Sequence, residues 1–166
     1  MHRILFVCHG NICRSTMAQF VMEDLVARAG RAGEFVIDSA ATSREELGNP
    51  PYHGTVRKLR EVGVPVGRHR ARQVSRAEYG DWDLIVYMDE ENAWGLRRIL
   101  GDDPQDKCAK LLSFVSEDSG LRPPARNGRG EVRDVADPWY TGNFDDTYRD
   151  VLAGCEGLLA SLAILE

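Results

Sequence analysis

The chain has 166 residues, 43% of them hydrophobic, and a formal net charge of −5. That suffices for one domain with a real core, and the acidic balance gives no electrostatic footprint for nucleic acid. The four cysteines, Cys8, Cys13, Cys108 and Cys155, have the spacing of neither a disulfide framework nor a zinc site, since no second close pair exists and the histidines are scattered.

Residues 4–7 (Ile-Leu-Phe-Val) are apolar without a break and predict a buried strand. A short loop holding Gly10 and Asn11 follows. Met17, Ala18, Val21, Leu25 and Ala29 then recur at helical spacing and predict a helix over about 15–28, stopped at Gly30. Residues 34–39 read as a second short strand, and residues 40–51 as a loop with Gly48, Pro50 and Pro51. A second helix carries Tyr52, Val56, Leu59 and Val62 and ends at Gly63; residues 64–73 form an irregular, basic connection. Residues 82–88 predict a third strand, after which Asp89 caps a helix with Ala93, Leu96, Ile99 and Leu100, closed by Gly101. Residues 109–114 predict a short fourth strand and residues 116–134 a long polar loop. A last helix from about residue 145 shows Tyr148, Val151, Leu152, Cys155, Leu159 and Leu162 on one face.

Strands alternate with helices, without a repeat or an internal linker. The expectation is one α/β domain over residues 1–166, with a parallel sheet covered by helices on both faces. Ligands of such sheets bind at the carboxyl ends of the strands. The apolar run at residues 4–7 is too short for a signal-peptide core, and the run at 158–165 is broken by Ser161 and too short to span a bilayer. A cytoplasmic chain without membrane insertion is expected.

The chemistry concentrates in residues 8–15, Cys-His-Gly-Asn-Ile-Cys-Arg-Ser. A helix start offers unpaired N–H groups and the positive end of the macrodipole, a natural anion site. Gly10 and Asn11 tolerate the left-handed backbone that such a curl uses. Arg14 adds a planar fork of donors matched to phosphate oxygens. Cys8 faces the same point, where a thiol gives up its proton readily and becomes a nucleophile. Ser15 is placed to hydrogen-bond the Cys8 sulfur. Taken alone, Cys8 is as well read as a small core residue; the pattern of Cys, five residues and Arg-Ser between strand and helix points to chemistry. Residues 137–140 (Asp-Pro-Trp-Tyr) offer a carboxyl on a stiffened backbone, followed by two aromatics that can wall a slot for a ring. Alone, they read equally well as a turn pinned by aromatics.

The loop Val7-Cys8-His9-Gly10-Asn11-Ile12-Cys13-Arg14-Ser15 resembles the signature loop of the low-molecular-weight protein tyrosine phosphatases. Asp137-Pro138-Trp139-Tyr140 resembles that family's Asp-Pro-aromatic-aromatic motif, and residues 69–73 resemble its His-x-Ala-Arg segment. The resemblance implies a four-stranded parallel sheet and hydrolysis of phosphotyrosine through a phospho-cysteine on Cys8, without metal or cofactor. It makes Arg14 and the loop residues His9, Gly10, Asn11, Ile12, Cys13 and Ser15 the phosphate site, and Asp137 the general acid and then base. It groups Asn11, Ser15, Ser39 and His69 in a support network, puts Ile12, Trp139 and Tyr140 at the substrate pocket, and pairs Cys8 with Cys13 in a reversible, protective disulfide.

The implied partner is a tyrosine-phosphorylated protein, a bacterial tyrosine kinase being one such, acted on by a monomer or weak dimer. The chain departs from the family's usual pattern at residues 44–47 (Arg-Glu-Glu-Leu), at residues 52–54, and in the length of the 116–134 segment. These border the pocket and bear on substrate preference and acid-loop mobility. Two other functions compete. A protein-arginine phosphatase of the same fold has Thr where Ile12 stands, and a non-catalytic phosphoprotein-binding module would have lost the nucleophile, the Arg or the acid. Without a Cys between Cys13 and Cys108 the chain does not fit a thioredoxin-coupled arsenate reductase, and without a P-loop Lys or GxGxxG run it does not fit a nucleotide-binding domain.

Overall fold

A computed structural model of the chain describes residues 1–164. Four strands, β1 (His2–Cys8), β2 (Phe35–Ala41), β3 (Leu84–Tyr87) and β4 (Cys108–Lys110), form one sheet in the order β2-β1-β3-β4. Every pairing is parallel. The unbroken apolar run of β1 is what a central parallel strand requires, because both of its faces are buried. Ile4 and Phe6 pack with α1 (Arg14–Arg28) and α5 (Phe144–Ser161) on one face. Leu5 and Val7 meet α3 (Glu90–Leu100), through Leu96 and Leu100, on the other. Helices therefore cover both faces, as expected for the α/β class.

The expected helices form, including α2 (His53–Glu61), and Gly30 closes α1 in the left-handed region (φ 70°). β2 extends past the expected end at Ser39 to Ala41, in register with Cys8. The fourth strand differs from expectation. β4 is only three residues long, and Leu111–Phe114 turns into a 3-10 helix. The apolar run reads as a strand because Leu111 and Leu112 are buried, but α5 buries them across a close crossing. Cβ atoms placed on Gly154 and Gly157 would lie 2.5 Å from Leu111 Cγ and 2.0 Å from the Phe114 carbonyl oxygen. Those two glycines let the helix sit down on the turn.

The long segment at residues 116–134 is tied to the body. Arg133 grips Asp150 with two 2.7 Å contacts. The buried Lys110 donates to the Val132 carbonyl and pairs with Glu90 and Asp134. A short helix, α4 (Pro138–Thr141), follows it. Among the described residues, no helix is long and apolar enough to cross a membrane.

Candidate active site

The order β2-β1-β3-β4 sends the chain left from β1 and then right to β3, so a crevice opens at the carboxyl ends of β1 and β3. Residues 9–13 sit there, between β1 and α1. The carbonyls of Cys8, His9, Ile12 and Cys13 are engaged. Thr42 N donates to the Cys8 carbonyl and Ser43 to that of His9; Tyr52 N and Thr16 Oγ1 donate to Ile12, and Thr16 and Thr55 Oγ1 to Cys13. Among the described residues, the N–H groups of Gly10, Asn11, Ile12 and Cys13 have no acceptor, and no side chain caps α1. Such a set of unpaired donors is completed by an anion. Asn11 adopts the left-handed backbone expected of the curl (φ 59°), while Gly10 does not.

Cys8 Sγ lies 3.1 Å from Ser15 Oγ and 3.4 Å from the Ser15 N–H. Asn11 is fully buried and uses every polar atom of its amide. Nδ2 donates to Ser15 Oγ at 2.8 Å and to Ser39 Oγ at 3.0 Å. Oδ1 accepts from the Arg72 N–H at 3.2 Å and faces His69 Nε2 at 2.7 Å. The Arg72 N–H fixes which amide atom is the acceptor, so His69 Nε2 carries its proton toward Asn11. Ser39 passes its own proton to Gln19 Oε1. The four residues expected to cooperate around the loop thus share one network, which Gln19 extends.

Burial pushes the His69 pKa down from its ordinary value of 6.5, helped by Arg72 and opposed by Asp38. The folded state therefore binds the proton less readily than the unfolded chain does. This contribution to stability is complete above about 6.5 and is lost as pH falls below it. Urea midpoints measured between pH 7.5 and 5 should fall on acidification, and His69→Gln should flatten that slope.

The Arg14 guanidinium is 2% exposed. Nη1 donates to Asp89 Oδ2 at 2.7 Å and to the Val135 carbonyl at 2.9 Å, and Nη2 reaches Asp137 Oδ2 at 3.3 Å. Burial disfavours its charge, but Cys8, Asp89 and Asp137 outweigh that and hold its pKa above the usual value. Asp137 caps α4, accepting the Trp139 N–H at 3.1 Å with Pro138 at the first helical position. Asp89 caps α3 through Oδ1 while Oδ2 holds Arg14.

Cys8, Arg14, Asp137, Ile12, Cys13, Trp139 and Tyr140 all line one cleft, together with His9, Gly10, Glu45 and Glu46. The expected site residues come together here. His9 bridges Glu45 (3.0 Å) and Glu91 (3.5 Å) and so ties the departing 44–47 segment to α3. Cys13 is buried, and its pKa is raised to about 12 by burial, then by the charges of Cys8 and Asp137; it stays a thiol at neutral pH. Tyr52 stacks on Phe144 (ring centroids 5.9 Å apart) and meets Trp139 edge-on (5.1 Å), fastening α4 to α2 and α5.

Sequence reasoning missed Asp89 as a site residue. Asp89 follows β3, which pairs with β1, and that neighbourhood is set by the sheet order rather than by any local pattern. Tyr52 was placed at the pocket border with residues 52–54, but its ring contacts to Trp139 and Phe144 were not foreseen.

The chain matches the family described as low molecular weight phosphotyrosine protein phosphatase over residues 3–164. It is 42% identical to the low molecular weight protein-tyrosine-phosphatase YfkJ of Bacillus subtilis over 162 residues, covering 98% of this chain and 96% of that one. The crystal structure of YfkJ superposes with a TM-score of 0.85, covering 97% and 94% of the two chains. The human low molecular weight phosphotyrosine protein phosphatase is 41% identical, covering 94% and 92%. DARP, an arginine phosphatase of Drosophila, has a TM-score of 0.78 at 26% identity, covering 95% of each chain. The chain belongs to the low molecular weight phosphotyrosine protein phosphatase family.

Proposed function

We propose that this enzyme hydrolyses phosphotyrosine in proteins through a phospho-cysteine on Cys8. One observation carries the reading: a nucleophile, a fork of phosphate donors, a carboxyl group and two aromatic walls line a single cleft. The phosphate sits in the curl of unpaired N–H groups, and Arg14 turns from Asp137 to the phosphate oxygens. These donors meet the charge that builds on the equatorial oxygens in the transition state. The Cys8 sulfur attacks phosphorus, the S–P bond forms, and the bond to the tyrosine oxygen breaks. Asp137 gives that oxygen its proton.

In the free site Arg14 Nη2 stands 3.3 Å from Asp137 Oδ2. With phosphate bound, Arg14 turns to the phosphate oxygens and leaves the Asp137 carboxyl facing the leaving-group oxygen. In the second step Asp137 takes a proton from water, the water oxygen attacks phosphorus, and the Cys8 thiolate leaves. Asn11 already donates to Ser15 Oγ, so the Ser15 hydroxyl proton is free for the departing sulfur. No step uses a metal.

Ile12 gives the cleft an apolar wall beside Trp139 and Tyr140, which suits a phenyl ring better than a guanidinium. Under oxidation, a sulfenic acid on Cys8 would be resolved by the Cys13 thiol with loss of water; the raised pKa of Cys13 makes that step slow. The test is a panel of phosphotyrosine peptide, phosphoarginine peptide and phenyl phosphate, with chelator and reductant present. The expected result is turnover of phosphotyrosine, unchanged by chelator and well above that of phosphoarginine. Preference for phosphoarginine would overturn the substrate assignment, and binding without turnover would make the chain a recognition module.

A further inference from the structure

Beyond the cleft a second, wider groove of about 1340 Å³ runs along α2. Ile12, Glu46 and Trp139 line both, so the groove continues the cleft rather than standing apart from it. Its far wall is one stripe of α2: His53, Val56, Arg57 and Arg60. The spacing of these residues (three, then one, then three) places them on one helix face. Pro50, Pro51 and Tyr52 supply an apolar floor.

The charges in this groove are unevenly committed. Glu46 accepts from Asn49 Nδ2 at 2.6 Å. Lys58, the neighbouring cation on α2, is spent on Asp145 at 2.8 Å and on Glu61 at 3.5 Å. Arg57 and Arg60 are exposed and, among the described residues, make no ion pair or hydrogen bond. The opposite rim is acidic, with Glu45 and Glu91 held around His9. Arg57 and Arg60 therefore give the α2 wall of the groove two positive charges with no partner among the described residues.

Resting on the phosphotyrosine reading above, we propose that the α2 groove binds the substrate chain flanking the phosphotyrosine, and that Arg57 and Arg60 select acidic side chains there. The helix rise puts Arg60 about 10 Å along the axis from His53, the first α2 residue of the groove wall. An extended peptide covers that distance in about three residues. The recognised carboxylates thus lie roughly two to four residues from the phosphotyrosine. The arginines touch no reacting atom, so their effect falls on KM and not on kcat.

The experiment compares phosphotyrosine peptides with Asp/Glu at two to four residues on the amino side, the same on the carboxyl side, and Ala at all those positions. Wild type is set against the Arg57→Glu/Arg60→Glu double variant, with phenyl phosphate as the substrate that does not reach the groove. Wild type should show a KM lower by about five- to tenfold for one of the acidic peptides than for the alanine peptide, with kcat unchanged. Added salt should shrink that advantage. In the double variant the advantage should vanish or invert, while phenyl phosphate turnover stays within twofold. Equal KM for all three peptides in wild type would overturn the inference, as would an acidic preference that survives charge reversal. A wild type that turns over neither peptides nor phenyl phosphate removes the phosphatase reading itself, and the groove assignment with it.

Discussion

Cys8→Ser should abolish hydrolysis of phosphotyrosine, a loss on the order of 10⁵-fold or more. The substitution exchanges one small atom for another beneath a curl held by many other contacts. The Asn11 network, the engaged loop carbonyls and the Arg14–Asp89 pair do not involve the sulfur. Ser15 still has a partner 3.1 Å away to bond. Sulfur, however, is a far stronger nucleophile than a hydroxyl oxygen. A serine nucleophile needs a neighbouring base, and the carboxylate in the cleft, Asp137, is committed to the leaving-group side. The variant should therefore unfold at the same urea concentration as wild type and bind inorganic phosphate with similar affinity, while turnover falls to background. Residual turnover above a hundredth of wild type would mean that the nucleophile lies elsewhere.

Asp137→Asn should lower kcat for phosphotyrosine by 10²- to 10⁴-fold, the usual worth of a placed general acid. Asparagine is the informative substitution because the structure gives Asp137 two duties. Its Oδ1 caps α4 through the Trp139 N–H, and an asparagine oxygen does the same. Alanine would lose the cap as well and shift both aromatic walls. The effect should depend on the leaving group. A nitrophenolate departs without a proton, so formation of the phospho-enzyme from 4-nitrophenyl phosphate should be nearly unimpaired. Its hydrolysis should not, because Asp137 is also the base that activates water. An equal drop for both substrates in the rate of phospho-enzyme formation would argue that Asp137 positions Arg14, 3.3 Å away, rather than moving a proton.

The geometry of the loop was readable because it is local: strand, curl and helix start lie within consecutive residues, and its unpaired N–H groups follow from where a helix begins. Asp137 was readable only by analogy, since Asp-Pro with two aromatics is equally a turn. The stretch does form such a turn: Asp137 and Pro138 are the cap and first residue of α4, a signal present in the sequence and not used. Asp89 was read correctly as a helix cap. Its second contact, to Arg14, depends on β3 lying beside β1, which no local pattern states. Gly10 was expected to share the left-handed backbone that Asn11 alone adopts. The run at 109–114 misled because burial, not strand pairing, sets its apolar character. Beneath α5 a 3-10 turn buries Leu111 and Leu112 as completely as a strand would.

The most direct test of the central claim is to quench the reaction of Asp137→Asn with 4-nitrophenyl phosphate in acid and weigh its peptides by mass spectrometry. Slow hydrolysis should let the intermediate accumulate, and the peptide carrying Cys8 should gain the mass of one phosphoryl group while that group is absent from Cys8→Ser. Turnover that proceeds with an unmodified Cys8 peptide, or with the phosphoryl group on another residue, would contradict the account.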